Sequence, residues 1–278
     1  MLSKNWLAEL PVAPILLIKP VFGGDINDAY ALKTKTGTYF LKVQRQKKVH
    51  FFSKEVNGLR LLGKTVRTPE VIDAGEIDED AFLLLEWIES GSRDDKKLAV
   101  ALASLHKQTN ELFGFSEDNY LGKLPQYNHP EKDWASFYIH CRLLPQVKMA
   151  KEKGLWTLNR EKRLTHLVDK IRSTYQTLSA TPSLLHGDLW GGNVMFAANG
   201  EPVFIDPAVF YGNREMDITM TQLFGGFGPS FYQVYNERYP LDNGWQERVP
   251  WYQLYYLLAH LNLFGEGYGA AVDRALNS

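Results

Sequence analysis

The stretch "LLHGDLWGGNVMF" (Leu184–Phe196), followed by "PVFIDPA" (Pro202–Ala208), sets a histidine, two aspartates and an asparagine among glycines and short apolar runs. One reading is a tight surface turn. Gly187, Gly191 and Gly192 would then allow an irregular backbone, and Asp188 and Asn193 would bond their own turn. The other reading is chemical: hard oxygen donors suit phosphates and magnesium, and a carboxylate can receive the proton of an attacking hydroxyl. "NVMF" and "PVFID" read as two short strands around the Asn199-Gly200 turn, so Asp206 ends an apolar strand.

Phosphoryl transfer from ATP needs few parts, and the protein-kinase catalytic loop supplies them as His-Arg-Asp-Leu-x-x-x-Asn followed by a second metal-binding aspartate. His186, Asp188, Leu189 and Asn193 keep those offsets. Asp188 is thus the expected base, with Asn193 and Asp206 the expected magnesium ligands. Asp217, in "GNREMDITM", opens a helix. It can cap that helix or meet its dipole and also hold the catalytic-loop backbone, so Asp217, like His186, is expected as structural support.

Working back from this loop, a phosphate-binding lysine should lie on the third strand of a small lobe, with a glutamate on the next helix to hold it. "PILLIKPVF", "AYALKT" and "YFLKV" read as three strands, the last two joined at Thr36-Gly37. "YFLKV" carries Lys42. The helical run "SKEVNGLRLLGK", with Val56, Leu59 and Leu62 in phase, carries Glu55. "PEVIDAGEI" and "AFLLLEWI" are strands again. Gly23 and Gly24, between the first two strands, are the candidate phosphate-covering turn. The backbone of Glu86, Trp87 and Ile88 is the candidate adenine contact.

Beyond "ESGS" the pattern turns helical: "DDKKLAVALASLHKQTN", Trp134–Lys151, Arg160–Ser179, and most of the chain from Glu215 on. The expected fold is α+β and protein-kinase-like. A small antiparallel β-sheet lobe with one main helix (residues 1–88) precedes a larger, mostly helical catalytic and substrate lobe (89–278).

Composition agrees with this and excludes other classes. The 278 residues are 45% hydrophobic and 23% charged, with 31 basic against 32 acidic side chains, so no positive excess points to nucleic acid or an anionic membrane. Cys141 is the only cysteine, which rules out an intrachain disulfide or a cysteine-based zinc site and fits a reducing compartment, the cytoplasm. The apolar run near the N-terminus is broken by prolines and too short to span a bilayer.

Together, "LLHGDLWGGNV", "IDPAVFYGNREMDITMTQLFGGF" and "YQLYYLLAHLNLFGEGY", with "GGDIN", "YFLKV" and "LLLEWIE", make the chain resemble the fructosamine kinase (ketosamine-3-kinase) family over nearly its entire length. The resemblance implies an ATP- and Mg2+-dependent kinase acting on the 3-hydroxyl of ribulosamines, erythrulosamines or fructosamines. The unstable 3-phosphate then releases the amine, which amounts to deglycation. By the same resemblance Asp188 accepts the proton and Glu86 to Ile88 contact adenine. Gly187 replaces the protein-kinase arginine. The phosphate-covering loop lacks the cysteine that some members carry, which favours a monomer over a disulfide-linked dimer.

Trp190 and His260 are candidate substrate residues. Phe210, Tyr211, Phe227 and Phe264 are further aromatic candidates, although aromatic side chains and a lone histidine are more often core. An aminoglycoside- or choline-type phosphotransferase is an alternative. Its cationic acceptors call for clustered acids, whereas those after Phe224 are dispersed. A pseudokinase is weaker still, because Lys42, Asp188, Asn193 and Asp206 are all present.

Overall fold

The computed structural model describes residues 2–21, 28–47 and 50–278. The chain forms two compact units, neither continuous in sequence. One comprises Met1–Asp94 with Met195–Pro207, and the other Asp95–Val194 with Ala208–Ser278.

In the first unit the order is α1 (Lys4–Ala8), β1 (Leu17–Pro20), β2 (Asp28–Lys33), β3 (Thr38–Gln44), α2 (His50–Leu62), β4 (Val71–Ile77) and β5 (Asp80–Glu86). The strands form one antiparallel sheet in the order β1-β2-β3-β5-β4. Alternation along β5 decides its faces. Phe82 and Leu84 pack with Leu32, Leu41, Val43 and Trp6 on one side. Ala81, Leu83 and Leu85 pack with Phe52, Val56 and Leu59 of α2 on the other. Each large side chain so buried contributes about 1.5–3 kcal/mol.

The same period of two places Lys42 opposite to its neighbours Leu41 and Val43, in register with Leu83 and on the α2 face. Trp6 closes the other face, edge-on to Phe82, with its indole N–H on the Ile77 carbonyl at 3.1 Å. The short helix α1 was not visible as a sequence pattern.

The second unit contains α3 (Asp95–His106), the hairpin β6 (Asn119–Leu121) and β7 (Leu124–Gln126), α4 (Trp134–Phe137), a π-helical turn (Tyr138–Leu143), α5 (Leu144–Glu152), α6 (Leu158–Tyr175) and β8 (Ser183–Leu185). After β9 (Val194–Phe196) and β10 (Pro202–Phe204) come β11 (Phe210–Gly212), α7 (Glu215–Leu223), α8 (Pro229–Arg238), α9 (Trp245–Phe264) and α10 (Gly269–Ala275). The aromatic helix α9 is buried nearly all round and anchors the core with Trp134, Phe137, Tyr138, Phe210 and Met216. Phe210 is fully buried there, which corrects its candidacy as a substrate-lining residue.

The segment Met195–Pro207 belongs to the first unit because backbone bonds hold it there: Gly91 N–H to Phe196 C=O at 2.7 Å and Phe204 N–H to Arg67 C=O at 2.9 Å. Among the described residues no helix is long and apolar enough to cross a membrane.

Candidate active site

In the first unit three ionisable side chains meet. Lys42 Nζ donates to Glu55 Oε1 at 2.7 Å and also to Asp206 Oδ1. Glu55 reaches the lysine because it lies on the same helical face as Phe52 and Leu59, which pack on the sheet. Burial works against the Lys42 ammonium, but Asp206 and Glu55 outweigh it and hold the amine protonated well above the ordinary lysine range. Lys42 is almost fully enclosed, while the Asp206 side chain is half exposed.

Asp206 has φ +53°, the left-handed region, which costs a non-glycine residue about 1–2 kcal/mol. The following Pro207 would ordinarily steer it to extended backbone. Strain of this kind is retained where a side chain has to be aimed.

Gly23 and Gly24 lie outside the described residues. Glu86 is occupied within the first unit. Its N–H bonds the Glu70 carbonyl at 2.9 Å, and its carboxylate takes the Glu70 N–H at 3.0 Å and the Arg67 guanidinium. Ile88 is buried, and the Trp87 ring lies 6.5 Å from Phe40.

In the second unit the loop after β8 is organised by Asp217, which is wholly buried at the start of α7. Its carboxylate accepts the backbone N–H of His186 at 2.7 Å and of Gly187 at 2.9 Å. His106 Nε2 approaches the same carboxylate at 3.1 Å, while its Nδ1 is 2.7 Å from the Tyr235 hydroxyl. Burial depresses the His106 pKa despite the pull of Asp217, so the ring is neutral. A carboxylate can only accept, so Nε2 carries the proton and Nδ1 accepts from Tyr235.

Gly187 has φ +85°, and a Cβ there would overlap the Ala208 carbonyl oxygen; this is the reason for glycine in the position of the protein-kinase arginine. Asn193 turns both amide protons to Asp188, one to its backbone carbonyl at 2.9 Å and one to Oδ2 at 3.1 Å. The Asn193 oxygen therefore faces away from Asp188. That oxygen in the second unit, and the half-exposed Asp206 carboxylate in the first, are each hard donors of the type magnesium takes, so each by its chemistry fits that ion.

Trp190 is 39% exposed, and the absence of a side chain at Gly192 makes room for its ring. The ring lies edge-on to Phe224, which is 4.7 Å from His260. Phe264 and Tyr268 flank His260 at 5.6 and 5.0 Å. Trp190 and His260 thus belong to one aromatic face, joined by Phe224. His260 is half-buried and its Nδ1 donates to the Tyr256 carbonyl at 2.8 Å, so the neutral ring, depressed by burial, leaves Nε2 as an acceptor.

The profile of the family described as "Fructosamine kinase" matches residues 3–278. A protein of Lactiplantibacillus plantarum named "Probable ketoamine kinase" is 51% identical over 99% of this chain and 98% of its own length. The chain belongs to the fructosamine kinase family. The "Protein-ribulosamine 3-kinase, chloroplastic" of Arabidopsis thaliana is 37% identical over 95% of this fructosamine kinase family chain and 83% of its own length. The crystal structure of a candidate fructosamine-3-kinase from Haemophilus somnus 129PT superposes with a TM-score of 0.87 at 30% identity, covering 99% of this chain and 95% of that one. The aminoglycoside phosphotransferase APH(4)-Ia, crystallised with AMP-PNP and hygromycin B, has the same fold at a TM-score of 0.65 and 14% identity, covering 99% and 95%. The protein-kinase-like α+β fold read from the catalytic loop is the fold of this chain.

Three residues of the site escaped sequence reading: His106, Tyr235 and Phe224. His106 had a signal, a polar side chain on the buried stripe of α3 that carries Leu98, Leu102 and Leu105. Tyr235 and Phe224 had none, because their partners are remote in sequence.

Proposed function

We propose that this chain is an ATP-dependent ketosamine kinase that phosphorylates the 3-hydroxyl of an amine-linked ketose (ribulosamine, erythrulosamine or fructosamine) in deglycation repair. The reading is carried by one observation, that two preorganised charge sets occur in a single member of the fructosamine kinase family. One is the Lys42–Glu55–Asp206 cluster, and the other is the Asp188–Asn193 loop pinned by Asp217.

In this reading Lys42 binds the α- and β-phosphates, with Glu55 holding its ammonium in place. Backbone from Glu86 to Ile88 meets the adenine, and Gly23 and Gly24 cover the phosphates. Asn193 and Asp206 hold Mg2+, which when bound neutralises phosphate charge. Asp188 orients the sugar hydroxyl and takes its proton as the new O–P bond forms and the bond to the departing ADP breaks. Asp217 and His186 support that loop, and Trp190 and His260 face the sugar. Positioning and charge neutralisation supply most of the rate.

In this reading the protein works in a reducing compartment, the cytoplasm, as a monomer. Its one cysteine, Cys141, is buried and so poorly disposed to link two chains. A coupled ATP assay tests the reading with ribulosamine, erythrulosamine, fructosamine and an aminoglycoside, with Mg2+ and with EDTA. Turnover should require an amine-linked ketose and be abolished by EDTA. Absence of Mg2+-dependent turnover with every ketosamine would overturn it.

A further inference from the structure

The hairpin β6–β7 and the residues around it bury three carboxamides, Asn119, Gln126 and Asn128, together with the fully enclosed guanidinium of Arg142. Arg142 pairs with no carboxylate among the described residues. It stacks 3.9 Å over the Phe210 ring and donates to the carbonyls of Tyr127 and Cys141 and to Asn128 Oδ1, the last at 2.8 Å. Burying an unpaired cation is costly, and it persists only where its surroundings over-determine it.

The consequence is a hydrogen-bond chain of one polarity. A guanidinium can only donate, so Asn128 must present its oxygen to Arg142 and its Nδ2 elsewhere. That Nδ2 donates to Asn119 Oδ1 at 2.9 Å, and Asn119 Nδ2 in turn donates to the Val209 carbonyl at 2.8 Å. Gln126 Nε2 donates to Asn119 Oδ1 at 2.8 Å and to the Ala208 carbonyl at 3.0 Å. The Tyr255 hydroxyl closes the set on Gln126 Oε1 at 2.8 Å.

The chain ends on the backbone that braces the catalytic loop. Ala208 N–H donates to the His186 carbonyl at 2.9 Å, and the Ala208 carbonyl, held by Gln126, is the group against which Gly187 packs without room for a Cβ. Asp188 is the next residue. We propose that Gln126 and Arg142 are positioning residues for Asp188, acting through the backbone of Ala208 and Val209 on His186 and Gly187. This rests on the reading of Asp188 as the base.

The test uses the full-length protein with Gln126→Leu and Tyr255→Phe. The first removes the donor to Ala208, and the second deletes one hydroxyl and keeps the ring. Turnover per active site, titrated with a fluorescent ADP analogue, should fall at least about 10-fold in Gln126→Leu, with KM for ATP within about 2-fold of wild type. Hydrogen exchange at the amides of residues 186–188 should speed up by about 10-fold or more in Gln126→Leu and by a smaller, measurable factor in Tyr255→Phe. A purely structural network would lower the melting temperature and leave turnover per site and local exchange alone, and that result overturns the proposal. If Gln126→Leu does not fold, Tyr255→Phe decides, and unchanged exchange and turnover in it are equally fatal. If the wild-type protein turns over no ketosamine, the proposed function fails, and exchange at 186–188 alone decides whether the network holds the loop.

Discussion

Replacing Asp217 with asparagine changes no volume and removes one acceptor, which makes it a sharp test of how the catalytic loop is held. The wild-type carboxylate accepts three bonds in a site with no solvent exposure: His186 N–H and His106 Nε2–H on Oδ2, and Gly187 N–H on Oδ1. An asparagine can keep its oxygen where two of these converge, but its NH2 must then face the Gly187 N–H. Stranding that buried donor costs about 1–3 kcal/mol. The two surviving bonds lose their charge assistance, about 1 kcal/mol each. The sum is about 3–5 kcal/mol, or roughly 6–20 °C in melting temperature for a chain of this size. Scanning calorimetry of Asp217→Asn beside wild type reads this directly. A midpoint within about 2 °C of wild type would refute the claim that this carboxylate organises the loop.

Three further outcomes are expected. Asp188→Asn should lower turnover at least about 100-fold while nucleotide affinity, measured by fluorescence titration, stays within a few-fold; near-normal turnover would remove Asp188 as the base. Gly187→Ala should destabilise by about 2–5 kcal/mol in urea titrations, since it adds a side chain at φ +85° and onto the Ala208 carbonyl, and a loss below about 1 kcal/mol would contradict that packing. The depressed pKa of His106 means that the unfolded chain binds a proton first as pH falls. Its contribution is therefore complete above about pH 6.5 and is lost below it, at up to about 1.4 kcal/mol per pH unit. Urea midpoints between pH 8 and 5 should show this slope, reduced in His106→Gln; His260, also depressed by burial, adds to it with the same sign.

What the sequence revealed ahead of the structure follows physical range. Lys42 and Glu55 were readable only through their order relative to the His186–Asn193 loop, on the third strand and on the helix after it, and Asp188 and Asn193 because a loop chemistry fixes their spacing. The five-residue α1 and the three-residue strands β6 and β7 are shorter than any period that could announce them. Met195–Pro207 reads as part of the helical lobe by position, yet its hydrogen bonds to Gly91 and Arg67 place it with the first unit. Phe210 looked like pocket lining because aromatic content alone does not distinguish a sugar platform from a core ring.

The return of Met195–Pro207 to the first unit also bears on how the chain is made. Asp206 is the last member of the Lys42 cluster to leave the ribosome, after most of the helical unit has been synthesised. A nascent chain that has emerged only through Asp94 holds Lys42 and Glu55 but not the second carboxylate, so charge balance around that lysine waits on translation of the distant segment. Residues 1–94 by themselves contain that ammonium with only one of its two carboxylate partners.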